Sequence, residues 1–251
     1  MKKYISLIFA GFLLMSCNLD KYPYSEVAAA DYVKDEASVN NLVIGAYNGL
    51  YGAVYNEWAV TELRSDNVRM RVNKSTSNET KLIEQLDQGT ILSANSWVQD
   101  HWDATYSAIN RANSIFPVLD VVKDEAKRAM FEGEARFLRA YLYFNLVRLW
   151  GPVFVVTKKT GADEARFMQR SPVEDVYALI ESDLNAIVDG NLLPETRTDA
   201  ELGRVDMRAA KALLAKVYMT AYKSSDDKYA LAKTYIIYRY NRALVRKANT
   251  T

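Results

Sequence analysis

The chain is poor in the residues from which cross-links and catalytic centres are usually built. It has one cysteine, Cys17, and one histidine, His101, in 251 residues. A lone cysteine excludes an internal disulfide, so the fold must be held by its own core. The single histidine has no second histidine or spare cysteine to join it in a zinc site or a nucleophilic triad, and a solitary histidine is far more often structural. There is no glycine-rich phosphate loop. Charge of either sign is also lacking in excess. Loss of Lys2 and Lys3 with a leader would take the 32 basic residues to 30 against 31 acidic, which gives nucleic acid no reason to bind. Glu132 and Glu134 form a carboxylate pair of the type a glycoside hydrolase uses. Arg136, four residues after Glu132, makes an ordinary helix salt bridge the simpler reading. No enzyme, metal or cofactor is expected.

The uncharged run Tyr4 to Ser16 follows two lysines, as in an export signal, and falls short of the ~20 apolar residues that span a bilayer. Leu14-Met15-Ser16-Cys17 resembles the bacterial lipobox, in which the cysteine is acylated and becomes the new first residue. The expected organisation is a signal peptide over 1–16, a lipidated tether over 17–31 and a helical domain over 32–251. Multiple acyl chains anchor a protein stably, because each buried methylene contributes ~0.8 kcal/mol. Aromatics are weighted to amphipathic rings, 17 Tyr and 4 Trp against 8 Phe. Such rings line interfaces and sugar-binding surfaces, and Tyr also packs in helical solenoids.

Helical periodicity dominates the rest. Val39, Leu42, Val43, Ala46, Tyr47, Leu50 and Val54 mark a first helix, in which Gly45, Gly49 and Gly52 either permit close packing or end the helix early. Between Arg64 and Ser96 the period fades into a polar stretch read as one long exposed loop. Spacing resumes over Trp102, Tyr106, Ile109, Asn113 and Phe116 until Pro117. The strongest element carries one stripe of Phe131, Ala135, Leu138, Leu142, Leu146 and Leu149 and a second of Phe137, Tyr141 and Phe144. A helix apolar on two sides packs between neighbours, and Gly151-Pro152 stops this one. VFVVTK is a short strand or an extended connector. Ser171-Pro172-Val173-Glu174 reads as a capping box with proline at the first helical position. It opens a helix with Val176, Ile180, Leu184 and Ile187 inward. Another helix follows, with Ala210, Leu213, Leu214 and Val217 inward. A shift of 72 residues lays Arg136, Ala140 and Leu142 over Arg208, Ala212 and Leu214, about two tetratricopeptide periods of ~34 residues. The fold class is therefore all-α, built of tetratricopeptide-like helical hairpins with long irregular loops.

EARFLRAYLYFNLVRLWGP, Glu134 to Pro152, resembles the signature helix of the SusD/RagB family, surface lipoproteins of Bacteroidota. WDATYSAINRAN from Trp102 is similar to that family's upstream helix, and SPVEDVYALIESDLNAI and GRVDMRAAKALLAKVYM to its downstream helices. The resemblance runs from about residue 13 to about 234. It implies a SusD-like α-α superhelix, anchored at the outer membrane and facing outward. It also implies a SusC-like TonB-dependent transporter as partner, an oligosaccharide or peptide ligand, and no chemistry on that ligand. Phe154 stands where the family usually has proline. Members of that family are typically about twice this length, so truncation or a frameshift is expected, with 235–251 a non-native tail. The alternative is that the basic final stretch, from Lys228 to Lys247, forms a membrane-facing helix.

Sugars need aromatic faces for their C–H surfaces and planar polar groups for their hydroxyls. The candidate ligand residues are Trp97, at the end of the polar stretch, with Asp66, Asn67, Arg71 and Asn73 from within it. The competing reading is that Trp97 only packs the loop base. Trp58, Trp102 and Trp150 are assigned to packing. Two other roles stand beside ligand capture: a helical-repeat lipoprotein that only docks on a partner, and a degenerate fragment.

Overall fold

The computed structural model describes residues 33–70, 77–158, 160–222 and 226–236, and its described secondary structure lies within the unit Asp35–Thr251. Cys17 and the other residues assigned to the signal and tether, Arg71, Asn73, and residues 237–251 of the basic tail lie outside the described residues. Helices account for the described secondary structure apart from one isolated bridge.

Helix α1, Glu36–Thr61, starts on a reciprocal cap in which Ser38 N donates to the Asp35 carboxylate at 2.8 Å and Asp35 N donates to Ser38 Oγ at 3.1 Å. Its inward face is Val39, Val43, Ala46, Ala53, Ala59 and Val60. Val54, expected inward, is exposed, and Ala53 takes its place against the next helix. The glycines do not end the helix. At Gly49 an added Cβ would lie 3.3 Å from the Ala108 Cα, and at Gly52 one would lie 3.2 Å from the Ala104 Cβ. The absent side chains let the two backbones approach.

The polar stretch is not one loop. Residues 78–87 form α2, Asn78–Asp87, capped by Ser77 and buried through Leu86. Its signal is weak because its only apolar residues are Leu82, Ile83 and Leu86, too few to stand out in a polar background. Helix α3, Ser96–Asn113, packs along α1. Proline 117 lies within a 3₁₀ turn, Phe116–Val121, that leads to α4, Glu125–Trp150. Both stripes of α4 find neighbours: Leu138, Leu142 and Leu146 of the first are buried, and of the second Phe144 is buried while Phe137 and Tyr141 pack partly buried against the main core. Gly151 ends it at φ 66°, a region that favours glycine, and donates its N–H to Val147 O at 3.0 Å.

VFVVTK is an extended connector with a single bridge, Val153 to Ser171. Its backbone groups are satisfied by helix side chains instead of a sheet. Tyr106 Oη accepts from Phe154 N at 2.9 Å, Tyr143 Oη accepts from Val156 N at 2.6 Å, and Asn113 donates to Val156 O at 2.8 Å. Burial pushes the Tyr143 hydroxyl up to about 12. After the short α5, Ala162–Ala165, comes α6, Val173–Asp189. The expected capping box does not form. The helix starts one residue later than the box requires, with Pro172 as the cap residue and no side-chain cap bond, while the Ser171 backbone N–H donates to Val153 O at 2.8 Å. Helix α7, Met207–Ala221, is capped by Asp206. Residues 227–236 are helical, with Ala232 buried in the main core.

The helices pair as α1 with α3 and α4 with α6, and α7 packs on α6. Two buried ionic ties lock the stack. Asp183 on α6 receives Arg139 at 2.8 Å and Arg136 at 3.0 Å, both from α4. Glu134, fully buried, receives Arg197 at 2.6 Å and Arg204 at 2.5 Å from the segment before α7. Both carboxylates of the Glu132 and Glu134 pair are therefore engaged in ion pairs, Glu132 with Arg136 at 2.7 Å.

Candidate ligand-binding face

Trp97 is held by an elaborate local frame. Asn95, itself buried, accepts from Trp97 N at 3.1 Å while donating to Leu82 O at 2.8 Å and Gln85 Oε1 at 3.1 Å. One amide side chain thus caps α3 and ties it to α2. The Trp97 ring is half-buried against a small cluster of Ala59, Val60, Leu63 and Leu86, separate from the main core. Its other neighbours are rings: Tyr55 stacks near-parallel at 6.3 Å and 19°, and Trp58 meets it edge-on at 5.7 Å and 76°. Tyr51 continues the run, 5.9 Å from Tyr55 at 24°.

These rings are exposed to an unusual degree. Tyr51 is 73% accessible, Tyr55 55% and Trp58 43%, whereas large apolar side chains grouped on a surface normally mark an interaction site. Trp58, expected to pack inside, instead edges this face. Tyr51, Tyr55 and Trp58 were not among the candidate residues. Their signal was present as positions i, i+4 and i+7 of α1, but it was hidden because the small residues on the opposite face carried the core pattern. A shallow groove runs on along the same helix, lined by Ile44, Tyr47, Asn48, Leu50 and Val54 beside the two tyrosines.

Asp66 and Asn67 are exposed in the turn that follows the 3₁₀ segment Glu62–Arg64. Leu63 before them and Met70 after them both pack on the cluster beneath Trp97, so the turn is tethered at both ends to the base of the same face. Trp102 and Trp150 do pack: their rings meet edge-on at 5.2 Å. His101 stacks on Trp150 at 5.5 Å and 14°, with Nδ1 2.9 Å from Ala53 O, and Nε2 has no hydrogen-bond partner among the described residues. Burial holds its pKa below the usual 6.5. Among the described residues no group of histidine, cysteine or carboxylate side chains could hold a metal, and no helix is long and apolar enough to cross a membrane. Parallel rings beside a polar turn suit apolar faces that also carry hydroxyls.

Comparison with known proteins identifies the family. Residues 18–219 match the family model SusD-like, described as starch-binding and associating with the outer membrane. A SusD-like protein of Bacteroides ovatus is 36% identical over 124 residues, 47% of this chain and 21% of the relative. SusD-like protein P25 of Formosa agariphila is 26% identical over 235 residues, 86% of this chain and 42% of the relative. Among solved structures, NanU of Bacteroides fragilis superposes with a TM-score of 0.70 at 26% identity, covering 86% of this chain and 43% of that one. A laminarin-binding SusD-like protein gives 0.63 at 26%, covering 74% and 40%. The chain spans less than half the length of these relatives. With most of its length matched by the family pattern, and its helical hairpins superposing on solved members, the chain belongs to the SusD-like family.

Proposed function

We propose that this chain belongs to a surface lipoprotein that captures glycans at the Trp97 face and passes them to a SusC-type TonB-dependent transporter. The observation that carries the reading is the run of stacked rings from exposed Tyr51 and Tyr55 to half-buried Trp97, with the exposed Asp66 and Asn67 in a turn whose flanking residues join the cluster beneath Trp97. Aromatic faces accept the C–H surface of a pyranose, and amide and carboxylate groups pair with its hydroxyls. The family description and the laminarin-binding relative support a glycan over a peptide. Arg71 and Asn73 would join from the same polar segment. No reaction on the ligand is part of this role.

The test is retention of the purified chain by immobilised starch and by laminarin. Binding to either is expected, and Trp97→Ala should weaken it by ~1–3 kcal/mol, the range for losing one stacked ring. No retention by either polymer would overturn the glycan reading, and unchanged affinity in the variant would remove Trp97 from the site. Anchoring is tested separately. Cys17→Ser should abolish labelling by a palmitate analogue and release the protein from the outer-membrane fraction. Co-purification of a TonB-dependent transporter is expected for the lipidated form.

A further inference from the structure

The outward face of α1 repeats with a heptad period. Asn41, Ile44, Asn48, Tyr51, Tyr55 and Trp58 are all exposed, and they follow one another at alternating steps of three and four residues. That spacing is the seam of a two-stranded coiled coil, with Asn41, Asn48 and Tyr55 in one set of layers and Ile44, Tyr51 and Trp58 in the other. The opposite side of the helix is already occupied, because Ala46 and Ala53 are buried and α1 packs along α3. Residues 37–56 carry no charged side chain, although 25% of the residues in the chain are charged. A surface helix normally turns its charges outward. An exposed seam without them, rich in Tyr, has the composition of an interface core. At Gly45, beside the seam, an added Cβ would meet nothing within 4 Å, so a second helix has room to approach.

We propose that this seam is closed by α1 of a second copy of the chain, running antiparallel, in a weak twofold dimer. Side-chain size selects both the occupant and the direction. The first half of the seam holds the smaller residues, Asn41, Ile44 and Asn48, and the second half holds the rings, Tyr51, Tyr55 and Trp58. Antiparallel pairing sets Asn41 against Trp58, Ile44 against Tyr55 and Asn48 against Tyr51 of the second copy. Each ring then meets a smaller side chain, and the two axes keep an even separation. Parallel pairing would crowd ring on ring at one end and leave the other end loose. The seam is thus complementary to itself, as a twofold interface requires. The Asn48 amide also faces a phenol hydroxyl with which it can share a hydrogen bond. The rings are ordered before contact, since Tyr51 stacks on Tyr55 and Tyr55 on Trp97, so little side-chain freedom is lost on docking. Tyr51, Tyr55 and Trp58 are 73%, 55% and 43% accessible, with Ile44 and Val54 about half exposed beside them. At ~150–250 Å² for a whole ring, the face offers on the order of 500 Å² per copy. The pair buries about 1,000 Å², the lower limit for a specific interface, which suits a reversible dimer with a Kd on the order of 10 µM. The interface does not depend on what the Trp97 face captures, and it covers Tyr51 and Tyr55, so a second copy and a glycan compete for that face.

The experiment is sedimentation equilibrium of the full chain carrying Cys17→Ser, which leaves no acyl chain to drive association, from about 1 to about 100 µM, a range that spans a weak interface. A monomer–dimer equilibrium is expected. Ile44→Lys and Tyr55→Glu in that background should each raise the dimer Kd about tenfold or more, by burying an unpaired charge. The two changes combined should recover the dimer, because Lys at 44 of one copy then meets Glu at 55 of the other. Within one copy these positions are eleven residues apart along the helix, ~16 Å, too far to pair. Both residues are half exposed, and far-ultraviolet circular dichroism checks that each variant keeps its helix content. A monomer throughout the range would overturn the proposal and leave the seam to a helix of another protein. Association that survives both single changes would place the interface elsewhere and overturn it too. Loss in the single variants without recovery in the double would overturn the antiparallel pairing.

Discussion

Arg139 and Asp183 face each other with the guanidinium Nε and Nη2 each 2.8 Å from a carboxylate oxygen, and both side chains are almost wholly buried. The Arg139 Nη1 donates onward to Asn113 at 2.8 Å and to Thr157 O at 3.2 Å, and the guanidinium lies 4.4 Å from the Phe116 ring centroid. One side chain therefore links α3, α4, α6 and the connector after α4. Removing Asp183 strands the buried Arg139 charge, so Asp183→Ala should destabilise by about 3–5 kcal/mol in urea unfolding, and Arg139→Ala by less, because Arg136 remains 3.0 Å from Asp183. Arg139→Lys should recover little, because a point charge cannot reproduce the two-pronged contact. His101 offers a second residue-scale test. Its pKa is lowered by burial, so the unfolded chain takes up a proton near 6.5 while the folded chain resists. The stability this provides is present above pH 6.5 and is lost as pH falls from there towards the lower folded-state value. As the only histidine in the chain, it makes the attribution direct. His101→Phe should flatten the decline in unfolding free energy across that window, and an unchanged slope would assign the decline to carboxylates.

At the scale of the element, α1 shows how one helix serves two surfaces. Gly45 and Gly49 are both helical, but an added Cβ meets nothing within 4 Å at Gly45, while at Gly49 it meets Arg111 Cδ at 3.1 Å and the Ala108 backbone at 3.3 Å. Gly45→Ala should stabilise by about 0.5–1 kcal/mol through helix propensity alone. Gly49→Leu should destabilise by about 1–3 kcal/mol, because α3 would have to move away. Thermal unfolding of the two variants distinguishes packing from propensity. Asn95→Ala removes the α3 cap and should cost about 0.5–2 kcal/mol. It should also weaken glycan binding at Trp97 without touching the ring, which a binding titration would detect. The core face of α1, the two-sided α4, α6 and α7 were legible as periodicity. Helix α2 was not, because three apolar residues in ten give no clear period. The Ser171 cap does not form because the helix begins at Val173, which puts Pro172 in the cap position and leaves Ser171 in the extended bridge to Val153.

For the whole molecule, the main core collects buried residues from α1, α3, α4, α6, α7 and the helical segment 227–236, so these elements share one apolar interior. Thermal unfolding should accordingly show a single cooperative transition with a sharp midpoint, measured by far-ultraviolet circular dichroism. A broad, gradual loss of helicity would favour the degenerate-fragment reading over a working binding protein. Segment 227–236 is held by Ala232 in the core and by Lys228, whose amino group lies 2.5 Å from Glu181 and 2.7 Å from the Tyr222 hydroxyl.

The sequence by itself determined the helical class, the order of the main helices and most of their inward residues, Val54 excepted, because burial imposes a 3.6-residue period that needs no knowledge of neighbours. It also singled out Trp97 and the turn at Asp66 and Asn67. What only the tertiary structure decided was which rings join Trp97. Tyr55 and Trp58 lie about forty positions earlier in the chain and reach it only because Gly49 and Gly52 let α1 lie close on α3. Periodicity reports which residues turn inward along one helix. It carries no information about which outward residues of two helices meet, and that meeting is what forms the proposed site.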